Sequence, residues 1–292
     1  MSEQLAPTDA DRYDRIVDEV FATVADATPE LRDAIRGRRG ETDAENPSGD
    51  QQLEADRWFD RLLADRLGAI DGVGAYASEE RAEPIDCGSG VSLTVDPLDG
   101  SSNLVSNNLV GTIVGVYDDE LPAAGRDMIG AGFVVYGPTI TMIQARGETV
   151  AEYEIVDGER EPLREGFELP DDPTVFGFGG GDDEWPPAFQ RYADDAREEL
   201  KLRYGGALVG DVNQVLRYGG VFAYPTLESR EEGKLRLQFE ANPIAYVARA
   251  AGGAASDGER SILDVTAARL HQRTPLYVGN EKLIRELPEE LN

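Results

Sequence analysis

Residues 91–103, VSLTVDPLDGSSN, place two carboxylates, a proline and a glycine at the end of an alternating apolar run. The alternation from Val91 to Val95 predicts a strand entering the core. A turn is expected through Asp96-Pro97-Leu98-Asp99-Gly100, with Ser101-Ser102 opening a further turn or helix. Pro97 has a fixed φ and no N–H, so the turn is stiff. Asp96 and Asp99, three residues apart, can then aim at one point with the Leu98 carbonyl between them. Two carboxylates and a carbonyl form an oxygen set suited to a hard divalent cation such as Mg2+. Gly100 removes a side chain where the N–H groups of Gly100, Ser101 and Ser102 can meet an anion. Metal beside phosphate is the arrangement of metal-assisted phosphoryl hydrolysis. Taken alone, DPLDG also fits an ordinary turn.

Two other stretches carry polar groups in suggestive places. Glu79 and Glu80 closely precede the strand; on such an acidic chain, paired glutamates also fit a solvated surface. In Gly233-Lys-Leu-Arg-Leu-Gln-Phe-Glu240, Lys234, Arg236, Gln238 and Glu240 alternate with Leu235, Leu237 and Phe239. A strand there would set all four polar groups on one face, spanning roughly 20 Å between residues 234 and 240. The glycine-rich stretch Phe176-Gly-Phe-Gly-Gly-Gly-Asp-Asp lacks the spacing and the lysine of a nucleotide phosphate cradle.

The positioning elements follow from periodicity. Residues 9–36 carry a helical stripe from Tyr13 through Ile16, Val17, Val20, Phe21 and Val24. Residues 37–49 read as a polar, mobile loop, and a second helix is expected from Gln51 to Leu67. Residues 111–156 hold four strand-like runs that predict an antiparallel meander. The charged, proline-bearing stretch 159–173 suggests a boundary, dividing the chain into residues 1–170 and 171–292. A helix capped by Asp211 and closed by Gly219-Gly220 is expected next. Asn242-Pro243 should cap and start another, ended by Gly252-Gly253.

Composition bounds the rest. The 292 residues carry 57 acidic and 28 basic side chains, a net charge of −29, and only three lysines, Lys201, Lys234 and Lys282. Such a charge disfavours nucleic acid and anionic membranes as partners. With 40% hydrophobic residues the acid must coat a folded surface, as on the proteins of extreme halophiles, where salt screens self-repulsion. The single cysteine, Cys87, excludes an internal disulfide and a cysteine-based zinc site. No apolar run approaches the roughly 18 residues of a membrane span. The N-terminal MSEQLAPTDADR lacks a secretory apolar segment, so a cytoplasmic location is expected.

Several blocks, in order, resemble the class I fructose-1,6-bisphosphatases, within the lithium-sensitive sugar and inositol phosphatases. They are GDQQLEAD (49–56), SEE (78–80), DPLDGSSN (96–103), RYGGALVGDVNQVLRYGGVFAYP (203–225), GKLRLQFEANP onward (233–253) and HQRTP (271–275). The resemblance implies a layered α/β/α/β/α fold with mixed sheets, its first part binding metal and phosphate and its second the sugar phosphate. It implies hydrolysis of the 1-phosphate of fructose 1,6-bisphosphate, and a homo-oligomer, dimer or tetramer. Glu79, Asp96, Leu98, Asp99 and Glu240 are implied metal ligands, for Mg2+, or for Mn2+ or Zn2+. Asp50, Asp56 and Glu80 are implied to serve the metals and the attacking water. Gly100, Ser101 and Ser102 would hold the reacting end of the substrate and Arg236 would meet its centre; Arg203, Tyr204, Tyr224 and Lys234 would hold its distal phosphate, Arg203 from a neighbouring subunit. An asparagine and a tyrosine that touch that phosphate in the family align with glycines of the glycine-rich stretch, where backbone N–H groups would have to substitute. Animal members bind AMP through a Lys-Tyr pair whose positions here are Gly90 and Val91. His271 and Cys87 are assigned no chemistry. The rival expectations are an inositol or other sugar monophosphatase and a ligand-binding protein without turnover.

Overall fold

The computed structural model describes residues 9–38, 41–47, 49, 51–288 and 291. An eight-stranded sheet dominates the first half. From one edge its strands are Glu159–Glu165, Thr149–Val156, Ile140–Arg146, Met128–Tyr136, Val110–Tyr117, Val91–Asp99, Val73–Ser78 and Ile85–Asp86. Neighbours run antiparallel except Val73–Ser78 and Val91–Asp99, which are parallel. The meander is present as expected. It continues through Glu159–Glu165, so the stretch read as a boundary loop begins with a paired strand.

A second, five-stranded sheet orders Lys201–Leu202, Val175–Phe178, Gly220–Tyr224, Leu276–Gly279 and Ala254–Ser256. Its first three strands are parallel and the remaining pairings antiparallel. Helices Asp9–Ile35 and Glu54–Leu67 cover one face of the large sheet, burying Ile16, Val17, Val20, Phe21, Phe59 and Leu63. Helices Leu208–Tyr218 and Asn242–Ala250 lie between the sheets, in a core that joins Ile113 and Phe133 to Val221 and Leu276. Pro187–Glu199 and Glu281–Arg285 lie against the second sheet. This is an α/β/α/β/α layering with mixed sheets. No helix among the described residues is long and apolar enough to cross a membrane.

Four local expectations are corrected. The turn at 96–100 is in fact strand up to Asp99, interrupted by a bulge: Asp96 pairs with Ile113 and Asp99 with Gly111, one residue more on this strand than on its partner. Pro97 has no N–H for the ladder, and the extra residue is accommodated there. In a regular strand, residues three apart would face opposite sides; the bulge lets Asp96 and Asp99 face the same way. Residues 233–240 do not form one extended strand. Only Leu235–Arg236 is strand, and Leu237–Ala241 forms a π-helical turn running into Asn242–Ala250, so Asn242 lies inside the helical run and does not cap it. Leu237 and Phe239 are fully buried, while Gln238 turns away to pair with both backbone groups of Ala123. The region 37–53 contains a hairpin of Glu41–Glu45 with Gln51–Leu53, and the second helix starts at Glu54. Asp211 lies one turn inside its helix, whose cap residue is Ala207.

Candidate active site

A cavity of about 320 Å3 opens between the two sheets. It is bordered by Asp56, Glu79, Glu80, Asp96, Leu98, Asp99, Gly100, Ser101, Ser102, Tyr204, Tyr224, Lys234, Arg236 and Glu240. All but two of the expected residues are therefore brought together. Asp50 lies outside the described residues. Arg203 is exposed and does not border the cavity; its backbone N–H pairs with Phe176 O at 2.7 Å.

A carboxylate oxygen from each of Asp96, Asp99 and Glu240 lies within 4.8 Å of the others, and all three residues are buried. Asp96 Oδ1 accepts the Leu98 N–H at 3.0 Å, and Asp99 Oδ2 accepts the Val209 N–H at 2.8 Å. The bulge is held from behind: the Thr112 hydroxyl donates to Pro97 O at 2.8 Å and contacts the Tyr136 hydroxyl at 3.0 Å. Burial, then the charges of Glu79, Asp99 and Glu240, push the Asp96 carboxyl well up. Burial, then the charge on Glu240, push Asp99 up to about 7. Glu240 also rises to about 7, burial outweighing the pull of Arg236. Carboxyls desolvated and crowded in this way resist ionising together unless positive charge joins them. The oxygen-only donor set and close spacing fit a hard divalent cation.

Arg236 supplies some of that positive charge. Its guanidinium lies 2.9 Å from Glu79 Oε1 and 3.7 Å from Glu240 Oε2, with the Arg236 and Glu79 side chains only 7% and 10% exposed. The Arg236 N–H also donates to Glu240 Oε2 at 2.5 Å. The helical turn after Arg236 makes this contact possible, since it shortens the distance between residues 236 and 240.

Asp56 is third in its helix, and its Oδ2 accepts the Leu53 N–H at 2.6 Å, half of a capping box. The other oxygen, Oδ1, is buried without a hydrogen-bond partner among the described residues. Burial, with the charge of Glu79, pushes Asp56 to about 7. Glu80 reaches about 7 as well, through burial and the charge of Asp56, although Gln52 donates to it. Two carboxyls poised near neutrality beside a cation site suit proton transfer.

Also lining the cavity, the Lys234 ammonium sits over the Tyr224 ring, 5.1 Å from its centre. Tyr204, 47% exposed, has its hydroxyl pushed to about 12 by burial and by its neighbours Tyr224, Asp211 and Asp99. Of the glycine-rich stretch, Gly179 cannot offer its N–H to a phosphate here. Gly179 donates to Ala223 O at 2.8 Å, and Gly180 and Gly181 border a different cavity.

Two polar side chains of the cavity, those of Asn46 and Asp211, escaped the sequence reading as site residues. Asn46 donates to Glu79 Oε1 at 3.3 Å, from a stretch with no sequence signal beyond polarity. Asp211 takes the N–H groups of Gly205 at 2.6 Å and Gly206 at 3.2 Å, while Asn103 and Asn108 donate to Gly205 O at 2.9 and 3.1 Å. The loop carrying Tyr204 is thereby fastened to the segment following Gly100. Gly100 itself has a φ of 73°, and a Cβ there would strike Ala207. His271 Nε2 donates to Arg81 O at 2.8 Å, and Cys87 is half-buried.

Comparison with known proteins agrees with this geometry. "Fructose-1-6-bisphosphatase, N-terminal domain" matches residues 24–159, and "Fructose-1-6-bisphosphatase, C-terminal domain" matches residues 169–292. The class 1 fructose-1,6-bisphosphatase of Natronomonas pharaonis is 53% identical, over 97% of this chain and 99% of its own. One from Haloarcula marismortui is 49% identical, over 96% of each chain. The crystal structure of Leishmania major fructose-1,6-bisphosphatase in holo form superposes with a TM-score of 0.88 at 27% identity, covering 97% of this chain and 98% of that one. With both halves matched in order around a carboxylate-lined cavity, the chain belongs to the class I fructose-1,6-bisphosphatase family, in the form found among halophilic archaea.

Proposed function

We propose that this chain hydrolyses the 1-phosphate of fructose 1,6-bisphosphate, releasing fructose 6-phosphate and phosphate in gluconeogenesis. The reading is carried by one arrangement: the Asp96, Asp99 and Glu240 cluster and the Lys234–Tyr224 pair line the same cavity. A monophosphate needs only the carboxylate cluster.

Glu79, Asp96, Asp99, Glu240 and the Leu98 carbonyl would hold the divalent cation, Mg2+ in our reading, with Mn2+ or Zn2+ as alternatives. Bound there, the cation supplies positive charge against the phosphoryl oxygens and makes nearby water more acidic. Asp56 and Glu80 take the proton from the attacking water, their pKa values near 7 matching neutral pH. Asp50 supports them from the segment preceding Asp56. The N–H groups of Gly100, Ser101 and Ser102 hold the phosphoryl oxygens as charge redistributes, and Arg236 sits at the centre of the substrate. Lys234, Tyr204 and Tyr224 take the distal phosphate, together with Arg203 from a second subunit of a dimer or tetramer. Residues 1–170 serve metal and phosphate, joined by Glu240 from the part 171–292 that takes the sugar phosphate, in a cytoplasmic enzyme.

The test is phosphate release from a panel of sugar phosphates, with and without Mg2+. Rapid, cation-dependent hydrolysis of the bisphosphate is expected. Better turnover of myo-inositol 1-phosphate would replace this reading with a monophosphatase, and no turnover of any substrate would leave a binding protein.

A further inference from the structure

Gly179, just past the strand Val175–Phe178, has a role that backbone flexibility does not explain. Its φ is not in the left-handed region, so an L side chain would suit the backbone there. Its peptide groups are held on both sides: the N–H donates to Ala223 O at 2.8 Å, and the carbonyl accepts the Trp185 Nε1–H at 3.0 Å. Trp185 is itself locked, edge-on to Phe178 and Phe189 with ring centres 6.1 and 5.1 Å away. A Cβ on Gly179 would fall inside 3.0 Å of Cδ2 and Cε2 of Tyr224. The Tyr224 ring therefore lies directly against the bare Cα, and Lys234 sits over that ring. The Tyr224 backbone is paired with Leu276 in the same sheet. If a side chain were added at 179, neither backbone could easily yield, and the ring would have to move.

We propose that Gly179 is a positioning residue for the distal phosphate: its missing side chain sets where the Tyr224 ring lies, and through the ring where the Lys234 ammonium is held. This rests on the bisphosphatase reading. The neighbouring Gly181 serves as a control, because a Cβ there would meet only Asp183, whose side chain is exposed and can swing away.

The experiment compares wild type, Gly179→Ala, Tyr224→Ala, the double variant and Gly181→Ala, each as the full chain with Mg2+. Gly179→Ala is expected to raise KM for fructose 1,6-bisphosphate about tenfold, the scale of a weakened charge-assisted contact, with kcat little changed. Hydrolysis of a small phosphate monoester should stay at the wild-type level. In the Tyr224→Ala background, adding Gly179→Ala should change neither KM nor melting temperature, because the overlap is gone. Gly181→Ala should behave as wild type. A wild-type KM for Gly179→Ala would overturn the inference, as would equal loss on both substrates or an equal effect in both backgrounds. If Gly179→Ala alone does not fold, a folded double variant supports the overlap and an unfolded one overturns it. Failure of the wild type to hydrolyse the bisphosphate would sink the functional reading alone, since the melting-temperature cycle reads the Gly179–Tyr224 overlap without substrate.

Discussion

Oδ2 of Asp99 accepts the Val209 N–H at 2.8 Å, so a carboxylate at the end of the large sheet also holds the first turn of the helix Leu208–Tyr218. The positive end of that helix partly offsets the Asp99 charge. The carboxylate cluster is thereby tied to the helix whose Asp211 holds the loop bearing Tyr204. Asp99→Asn keeps an acceptor for Val209 and removes only charge. Turnover by Asp99→Asn, and by Asp96→Asn, should fall to background while the melting temperature of the cation-free protein holds or rises. Either variant turning over at the wild-type rate in saturating Mg2+ would remove that residue from the cation site.

Stability should depend on pH in a direction set by the same carboxyls. Asp99 and Glu240 have ordinary pKa values of 3.8 and 4.5 and rise to about 7 in the fold. Below pH 4 both folded and unfolded chains keep these protons. As pH climbs from about 4 to 7, the unfolded chain releases them first, so cation-free stability falls across that window and levels off above it. Mg2+ favours the ionised carboxylates and should raise the melting temperature more at pH 8 than at pH 5. An equal shift at the two pH values would contradict this linkage.

Lys234 separates a bisphosphatase from a monophosphatase. A charge-assisted bond to phosphate contributes about 1.5–3 kcal/mol, so Lys234→Ala should raise KM for the bisphosphate roughly ten- to a hundredfold. Hydrolysis of a small monoester should barely change. Equal losses on both substrates would make Lys234 structural.

The net charge of −29 predicts a salt response. Activity and melting temperature should climb from low salt to molar KCl as repulsion between surface carboxylates is screened. A melting temperature that stays flat over that range would count against a salt-adapted surface.

AMP should have little effect. A Cβ at position 90 would fall inside 3.0 Å of the Gly72 carbonyl, so no lysine fits there, and Val91 is buried. Strong inhibition by micromolar AMP in a standard assay would overturn this.

Much of the site is legible in the linear order of residues. DPLDGSSN, the paired glutamates and GKLRL supply residues that the fold gathers around one cavity, and strand-like runs separated by turn residues located the meander. These signals survive because each depends on neighbours a few residues away. What the sequence left open was settled by contacts across long separations. The alternation of Lys234 to Glu240 suits a strand, yet the chain coils after Arg236, which buries Leu237 and Phe239 and brings Glu240 back to Arg236 beside Glu79. The bulge at Pro97 depends on the ladder with Val110–Tyr117. Asn46 and Asp211 look like ordinary polar residues until Glu79 and the Gly205–Gly206 peptide are placed beside them. The cavity exists only because two sheets bring residues from both halves together, and burial there raises the carboxyl pKa values that isolated segments in water would lack.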